Sequence, residues 1–195
     1  IDINNNEKIL ELAKKENIDL VIPGPEVPLV NGIIDLLKLN GIKAFGPTKK
    51  AAQLEGSKNF TKEICKSGNI PTANYELFSN QNNALNYINK NSNYPIVIKA
   101  DGLAAGKGVV IAQNNEEATK AILDSFSGKY GQAGKNILIE EYLEGIEASF
   151  FALCDEEIAI PLTNAQDHKR VGDNDTGPNT GGMGAFSPTP KLSKE

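Results

Sequence analysis

The sequence contains no tryptophan, and only one histidine, one arginine and one methionine occur among its 195 residues. Its two cysteines, Cys65 and Cys154, show no C-x-x-C spacing, so we expect buried thiols rather than a disulfide or a metal site. No apolar run approaches the length of a transmembrane helix, and no charged and then apolar leader opens the chain. These absences argue against a secreted disulfide scaffold and against a membrane protein, and they predict a cytoplasmic protein without a membrane partner.

The charge and length also limit the choice of partner. The formal net charge is -5 at pH 7, which argues against nucleic acid or an anionic membrane surface as the main partner. A small-molecule partner is therefore expected. The length permits one domain or two small lobes, and because Ile1 is not a methionine we interpret the chain as a piece of a longer protein. The sequence does not set the oligomeric state, and a monomer is the default expectation.

Residues 1–47 predict the end of a Rossmann-like parallel α/β layer. Apolar residues at helical spacing predict helices over 7–16 and 27–39, and each helix precedes a short apolar strand, at 19–22 and 42–45. The helix–strand alternation is typical of parallel sheets, so the fold class begins as α/β.

The turn Gly24-Pro25-Glu26 follows the first of these strands, at the edge where open α/β sheets bind their ligands. Glu26 has two interpretations, as a ligand of sugar hydroxyls and as a capping carboxylate of the next helix. The residues themselves leave both open.

A helical connection is predicted over 48–70, with a break at Gly56-Ser57 and Lys58 opening its second helix. A lysine at a helix N-terminus is unfavourable beside the helix dipole, so either an anion is shared there or the side chain is exposed to solvent. Lys62, one turn further along, is expected to be solvated.

From residue 71 onward the pattern becomes α+β, with short strands and helices in turn. The predicted elements are a strand at 75–78, a helix at 82–89, a hairpin at 95–113, a helix at 115–126, a mobile turn at 127–135 and strands at 136–140, 148–154 and 158–163.

The hairpin at 95–113 is the most informative stretch, because two β-branched runs flank a loop of Gly, Ala and Lys. Glycines let a backbone turn sharply and bring its N–H groups close to an anion, and two nearby ammonium groups suit a polyphosphate. The spacing is neither that of a Walker A loop nor G-x-G-x-x-G, and an ordinary Gly-rich hairpin is the alternative. The residues concerned are Lys99, Gly102, Gly106, Lys107 and Gly108.

Two further stretches carry candidate ligands. At the end of the strand over 136–140, the backbone of 141–143 can bond an adenine edge and Glu147 can accept from ribose hydroxyls, with a solvated acidic strand end as the alternative. The stretch 166–184 is the most polar in the chain, yet it holds the only His, Arg and Met. We interpret it as a substrate loop rather than as a disordered linker.

Taken together, these motifs resemble the phosphoribosylamine–glycine ligase family of the ATP-grasp superfamily. The matching strings are GPEVPLV at 24–30, QLEGSK at 53–58, VIKADGLAAGKGV at 97–109 and the loop at 166–184, in the order of the family. The resemblance implies an ATP-grasp small lobe over 71–143 and the start of the large lobe over 144–195, which follow the end of an N-terminal domain and clamp ATP between two sheets.

The resemblance also implies the ligands and a role for each candidate residue. ATP with Mg²⁺ or Mn²⁺ would be the cofactors, and glycine and 5-phosphoribosylamine the substrates. Phosphates would be bound by Lys58, Lys99 and the loop Gly106, Lys107 and Gly108, adenine by Glu140, Glu141, Tyr142 and Leu143, and ribose by Glu147. The substrate pocket would comprise Gly24, Pro25, Glu26, Asp167, Thr180, Gly181, Gly182 and Met183, with His168, Lys169 and Arg170 as the candidate catalytic residues. For His168 a structural imidazole is the alternative.

The implied reaction activates the carboxylate of glycine with the γ-phosphate of ATP, and the amine of phosphoribosylamine then attacks the acyl phosphate to give glycinamide ribonucleotide. The family's metal-holding carboxylate and amide side chains have no counterpart here, so we expect no metal ligand in this chain and no ligase activity from it alone. The alternatives are another ATP-grasp carboxylate–amine ligase or carboxylase and a nucleotide-binding module without catalysis.

Overall fold

The computed structural model describes residues 1–90, 93–104, 106–174 and 176–192. Two compact units divide the chain, Ile1–Tyr142 and Leu143–Glu195. The mixture of parallel α/β and antiparallel α+β parts within these units confirms the predicted fold class.

The first unit opens with short helices around a two-stranded parallel sheet, as the sequence predicts. The helices bury a small cluster of aliphatic side chains, formed by Leu10, Ala13, Ile33, Ile34 and Leu37. In chain order the elements are α1 (Asn6–Lys15), β1 (Leu20–Val21), α2 (Glu26–Val30), α3 (Ile33–Leu39), β2 (Lys43–Ala44) and α4 (Gln53–Gly56).

The single helix predicted over 27–39 is wrong, because α2 and α3 are separate helices. Gly32 between them has a φ of +88°, a left-handed conformation that ends the first helix and that an L side chain rarely adopts. The glycine inside an otherwise amphipathic pattern was the available signal.

A four-stranded antiparallel sheet forms the larger part of the first unit, with the strand order β3-β6-β4-β5. Two helices pack on one face, where Ile88, Ile98, Ile122 and Ile137 are fully buried. The predicted hairpin and strands are confirmed. The elements are α5 (Lys58–Ser67), β3 (Tyr75–Phe78), α6 (Gln81–Lys90), β4 (Ile96–Ala100), β5 (Val109–Ala112), α7 (Asn115–Asp124) and β6 (Ile137–Glu141).

The other face of this sheet carries charged side chains. Tyr75 of β3 and Val97 of β4 both pair with Glu140 of β6, so these three side chains point to one face. Lys99 lies two residues beyond Val97 on β4 and shares that face. Side-chain alternation therefore places Lys99 and Glu140 opposite the helix-covered core.

The segment 127–135, predicted as a mobile turn, belongs to two short helical turns, Ser125–Lys129 and Gly131–Lys135. Gly134 makes their close approach possible, since a Cβ there would lie 2.6 Å from the backbone oxygen of Ser125.

The second unit consists of strands. The predicted strands at 148–154 and 158–163 are confirmed as a hairpin, but the second strand continues to Asp167, so the stretch 166–184 is built of strands and turns rather than of one loop. The elements are β7 (Ser149–Cys154), β8 (Ala159–Asp167), β9 (Arg170–Gly172), β10 (Thr176–Asn179) and β11 (Ala185–Phe186), with β11-β8-β7 in one sheet and β9 paired with β10.

Two expectations from the residue inventory can be checked in this fold. Cys154 is exposed on β7, so its predicted burial is wrong, while Cys65 is half-buried on α5. In the part of the chain that the structure describes, no helix has the length and apolar character needed to span a membrane.

Candidate functional site

Asp101, which follows β4, forms hydrogen bonds with the N-terminus of α5. Its carboxylate accepts the backbone N–H of Asn59 at 2.8 Å and the hydroxyl of Ser57 at 3.0 Å. Its backbone oxygen accepts the N–H of Lys58 at 3.1 Å. Of the two alternatives for this helix N-terminus, the structure shows the shared anion, which is the Asp101 carboxylate, and its negative charge is favourable beside the positive end of the helix dipole. The sequence analysis missed it, although an aspartate directly after a strand was visible.

Lys58 lies at the base of the Gly-rich loop rather than in open solvent. Its ammonium donates to the backbone oxygen of Gly102 at 3.2 Å, and its side chain is half-buried. Burial lowers the pKa of Lys58 from the usual lysine value, and Asp101 and Glu55 only partly offset that effect. A half-buried cation with one backbone partner retains donors for an anion.

The connection between β4 and β5 requires its glycines for steric reasons. Gly106 has a φ of +74°, and a Cβ on Gly108 would lie 2.7 Å from the Cβ of Ala104. Gly108 also accepts the N–H of Ala100 at 2.8 Å, which closes the hairpin. Lys107 is exposed beside it. These contacts are sufficient to explain why the loop needs glycine at these positions. A phosphate-binding role for the loop therefore stays a prediction.

A buried carboxylate lies on the charged face of the sheet. The Glu140 side chain is 3% exposed, and its Oε2 lies 2.8 Å from the Lys99 ammonium and 3.3 Å from the Lys62 ammonium. Its Oε1 is buried without a hydrogen-bond partner. The solvated-strand alternative is therefore wrong for Glu140, and a buried lone pair of this kind is unfavourable until a donor reaches it.

Lys62 was expected in solvent, and this expectation is wrong. Its side chain is 8% exposed, and its ammonium donates to Thr72 Oγ1 and to the Ala73 carbonyl, each at 2.9 Å. Lys62 lies one helical turn from Lys58, so the i, i+4 spacing already placed both lysines on one face of α5. That spacing was the signal available in the sequence.

Glu141, the next residue, has a different environment because alternation turns it to the other face. Its oxygens accept the N–H and the side-chain amide of Asn74 at 2.9 and 3.1 Å, and these bonds lower the pKa of Glu141. Its own N–H donates to the Asn74 carbonyl at 3.0 Å. The Glu141 N–H is thus committed, which leaves Tyr142 and Leu143, both with exposed side chains, as the candidate backbone donors for adenine.

In the second unit, Glu147 and Lys169 form an ion pair, and Asp167 lies 3.9 Å from the same ammonium. The hydrogen bond with Glu147 raises the pKa of Lys169, and the nearby carboxylates add to that effect. The structure therefore brings together three predicted site residues. The ribose-binding role of Glu147 stays a prediction.

A cavity of about 320 Å³ lies in the second unit beside the β9–β10 hairpin. The predicted residues His168, Arg170 and Met183 line it, together with Val171, Gly172, Asp173 and Asn174. Lys169, Asp167 and the Thr180–Gly182 turn do not appear among its lining residues. The sequence did not single out Asp173 and Asn174, because Asp and Asn are common residue types in turns.

The turn at 180–183 is nevertheless tied to the same strand segment. Thr180 donates its N–H and its hydroxyl to the Lys169 carbonyl, at 2.6 and 2.9 Å. Met183 donates its N–H to the His168 carbonyl at 2.7 Å. The N–H of Gly182 reaches the Thr180 hydroxyl at 3.0 Å. Gly181 continues the same turn, which fixes Met183 beside His168.

The predicted residues near β1 occupy a helix start. Pro25 precedes α2 and Glu26 is its first residue, with an exposed side chain. A carboxylate in the first turn of a helix interacts favourably with the helix dipole, so the position of Glu26 agrees with the capping interpretation. Nothing lies within 4 Å of a Cβ built on Gly24, so space alone does not require that glycine.

The described residues fit a nucleotide better than they fit a metal ion. The unpartnered Oε1 of Glu140 suits an exocyclic amino group, and Lys58, Lys99 and Lys107 suit phosphates. Within the described ranges no cluster of three or more His, Cys, Asp or Glu side chains could hold a metal.

Comparison with known proteins agrees with this arrangement. Residues 56–195 match the model of the phosphoribosylglycinamide synthetase ATP-grasp (A) domain, and residues 1–55 match that of the N domain of the same enzyme. The first match defines the chain as an ATP-grasp protein. Since the two models together span the sequence, the chain belongs to the phosphoribosylglycinamide synthetase family.

Individual relatives support the same placement. The chain is 53% identical over 195 residues to phosphoribosylamine–glycine ligase of Brucella melitensis, which covers all of this chain and 45% of that protein. The chain thus spans less than half the length of this relative.

Solved structures agree with the fold. The crystal structure of phosphoribosylamine–glycine ligase from Thermotoga maritima has a TM-score of 0.70 and 38% identity, over 75% of this chain and 38% of that chain. The biotin carboxylase domain of Hydrogenobacter thermophilus 2-oxoglutarate carboxylase, solved with MgADP, ADP and bicarbonate, has a TM-score of 0.69 and 25% identity, over 85% of this chain and 38% of that chain.

Proposed function

We propose that the protein of full family length joins glycine to 5-phosphoribosylamine at the expense of ATP and forms glycinamide ribonucleotide. The family assignment supports this reaction. The observation that carries it is the charged sheet face, where the partly exposed Lys99 lies beside a buried carboxylate with an unpartnered oxygen. In this proposal 71–143 acts as the small ATP-grasp lobe and 144–195 as the start of the large one.

We assign the nucleotide to residues of the first unit. Lys99 and Lys58 bind phosphate oxygens, and the loop Gly106-Lys107-Gly108 adds the Lys107 ammonium and the N–H groups of Gly106 and Gly108. The Lys107 N–H is not included because it already donates to the Ala104 carbonyl at 2.9 Å. Glu140 Oε1 accepts the exocyclic amino group of adenine, which satisfies its buried lone pair. When bound, ATP supplies the phosphoryl group that activates the carboxylate of glycine. The lysines stabilise the negative charge that develops on the phosphoryl oxygens.

We assign the substrates to the cavity of the second unit. A guanidinium has five N–H donors, and the contact of Arg170 with the Gly177 carbonyl at 3.0 Å uses one of them. The remaining donors suit the phosphate of phosphoribosylamine or the carboxylate of glycine. His168 lines the same cavity, and its ring lies 5.8 Å from that of Phe186. We assign it the role of a proton carrier or of a group that orients the substrate. When bound with ATP, Mg²⁺ would neutralise part of the charge on the phosphates.

Nucleotide binding should depend on pH through Lys58. Its pKa is lowered, so its ammonium loses the proton at a lower pH than the usual lysine value of 10.5. The charged form binds phosphate, so ADP affinity should fall as the pH rises toward 10.5, whereas Lys58→Arg should keep its charge and lose this early decline. Isothermal titration with ADP across alkaline pH measures both proteins. Identical pH profiles for the two would contradict a phosphate role for Lys58.

Product analysis tests the reaction itself. The full-length protein, supplied with ATP, Mg²⁺, glycine and freshly made 5-phosphoribosylamine, should release ADP and yield glycinamide ribonucleotide by mass spectrometry. Omission of either substrate should abolish the product. ADP release with a different carboxylate and amine would instead favour another ATP-grasp ligase. ATP binding without ADP release, in the presence of both substrates, would favour a non-catalytic nucleotide-binding protein.

A further inference from the structure

The two lysines that contact Glu140 differ in how fully their donors are used. The Lys62 ammonium has three N–H donors and three partners, Thr72 Oγ1 and Ala73 O at 2.9 Å and Glu140 Oε2 at 3.3 Å. Its side chain is only 8% exposed, so these three partners occupy its donors and little of the ammonium faces solvent. Lys62 is therefore a fixed counter-ion.

Lys99 is less confined. Its side chain is 29% exposed, and its contact with Glu140 Oε2 is the shorter of the two, at 2.8 Å. An ammonium at this exposure keeps donors for a phosphate, but it is also held by a carboxylate. A nucleotide that draws Lys99 away would leave Glu140 buried with a negative charge, which is strongly unfavourable without a second cation.

Among the described groups around Glu140, none besides Lys62 is placed to replace Lys99. Tyr75, directly opposite on β3, donates its hydroxyl to Glu63 at 3.0 Å, and its ring lies 5.2 Å from the Lys62 ammonium. The Lys58 ammonium is bonded to Gly102, and the Asp101 carboxylate holds the start of α5. Of these groups, only Lys62 is both cationic and in ion-pair contact with Glu140.

We propose that Lys62 is a positioning residue: as the permanent counter-ion of Glu140, it frees Lys99 to exchange that carboxylate for a nucleotide phosphate. This inference rests on the proposed nucleotide site and adds to it a residue that never touches the nucleotide. It explains why a lysine is buried on α5 where an apolar side chain would pack. It also explains why one carboxylate oxygen faces two ammonium groups while the other has none.

The test compares ADP with adenosine, because only ADP presents phosphates to Lys99. In Lys62→Met, Lys99 must serve both Glu140 and the phosphates, so the ratio of ADP affinity to adenosine affinity should fall about tenfold or more. In Lys62→Met/Glu140→Gln the neutral amide needs no counter-ion, and the ratio should return to that of Glu140→Gln alone. Lys66→Met, an exposed lysine on the same helix, should leave the ratio unchanged.

The other outcomes separate the inference from the function on which it rests. Equal losses for ADP and adenosine in Lys62→Met would show a structural role only and overturn the inference, as would a ratio that the double variant does not restore. An unmodified protein that binds no ADP would instead refute the proposed nucleotide site.

A second measurement needs no substitution at Lys62 and therefore does not depend on whether such a variant folds. In protein carrying ¹⁵N-labelled lysine, saturation with ADP should shift the Nζ resonance of Lys99 and leave that of Lys62 in place. A shift of Lys62 with Lys99 unchanged would overturn the assignment of the fixed and the exchanging cation.

Discussion

Replacement of Lys99 by methionine is expected to weaken ADP binding about 10- to 100-fold, since a hydrogen bond to a charged group contributes about 1.5 to 3 kcal/mol. Lys99 combines the properties that phosphate binding requires, a position at the end of β4 before the Gly-rich loop and a side chain that is partly exposed. Methionine keeps the length of the side chain and removes the charge. Glu140 keeps Lys62 as its counter-ion in this variant, so the fold should persist. Isothermal titration with ADP measures the effect.

A matched lysine provides the control. Lys120 is exposed on α7, which packs on the opposite face of the same sheet. Lys120→Met changes the net charge by the same amount and should leave the ADP affinity within about twofold, because an exposed distant charge is screened by salt. If both variants bound ADP as tightly as the unmodified protein, the charged face would not be the phosphate site.

The second large effect is on stability. Ile122 of α7 is fully buried in the cluster between α6, α7 and the sheet. Ile122→Ala should lower the free energy of unfolding of the first unit by about 2 to 5 kcal/mol, because it removes buried methyl and methylene groups and leaves a cavity. Urea denaturation followed by circular dichroism measures the change in midpoint.

The adjacent residue makes the comparison specific to burial. Leu123 is 42% exposed on the same helix, so Leu123→Ala should cost less than about 1 kcal/mol. Equal losses at the two positions would mean that α7 does not pack through the face that carries Ile122.

The elements that the sequence predicted well are those in which local pattern and tertiary packing agree. The β-branched runs on either side of the loop form the hairpin β4–β5, and the short apolar run at 136–140 becomes β6, one of the two inner strands. Composition was less useful in the second unit. Asp, Asn and Gly disfavour strands, yet β9 and β10 pair within the polar stretch at 166–184.

The candidate site shows where sequence reasoning stops. Glu140 and Glu141 are neighbours of the same residue type, and the family resemblance implies an adenine-binding role for both. Strand alternation separates them, so Glu140 is buried between two lysines while Glu141 bonds to Asn74. The pairing of β6 with β3 and β4 determines which of its two faces is buried. These strands are distant in sequence, so local pattern does not predict the pairing.

The burial of Lys62 on α5 likewise depends on contacts that the local sequence does not show. Its spacing from Lys58 was visible, but its burial depends on the Thr72–Ala73 segment, which follows α5, and on Glu140 of β6, which is distant in sequence. A lysine in isolation is far more often solvated, so the residue type favoured the wrong interpretation. Only the assembled contacts distinguish a fixed counter-ion from a surface charge.

A crystal structure of the full-length protein with a nonhydrolysable ATP analogue tests the central claim most directly. We expect its phosphates within hydrogen-bond distance of Lys99 and Lys58, and the adenine amino group at Glu140 Oε1, with Lys62 still bonded to Thr72 and Ala73. A nucleotide bound instead at the turn after β1, or in the cavity lined by His168 and Arg170, would contradict the assignment of the charged sheet face as the nucleotide site.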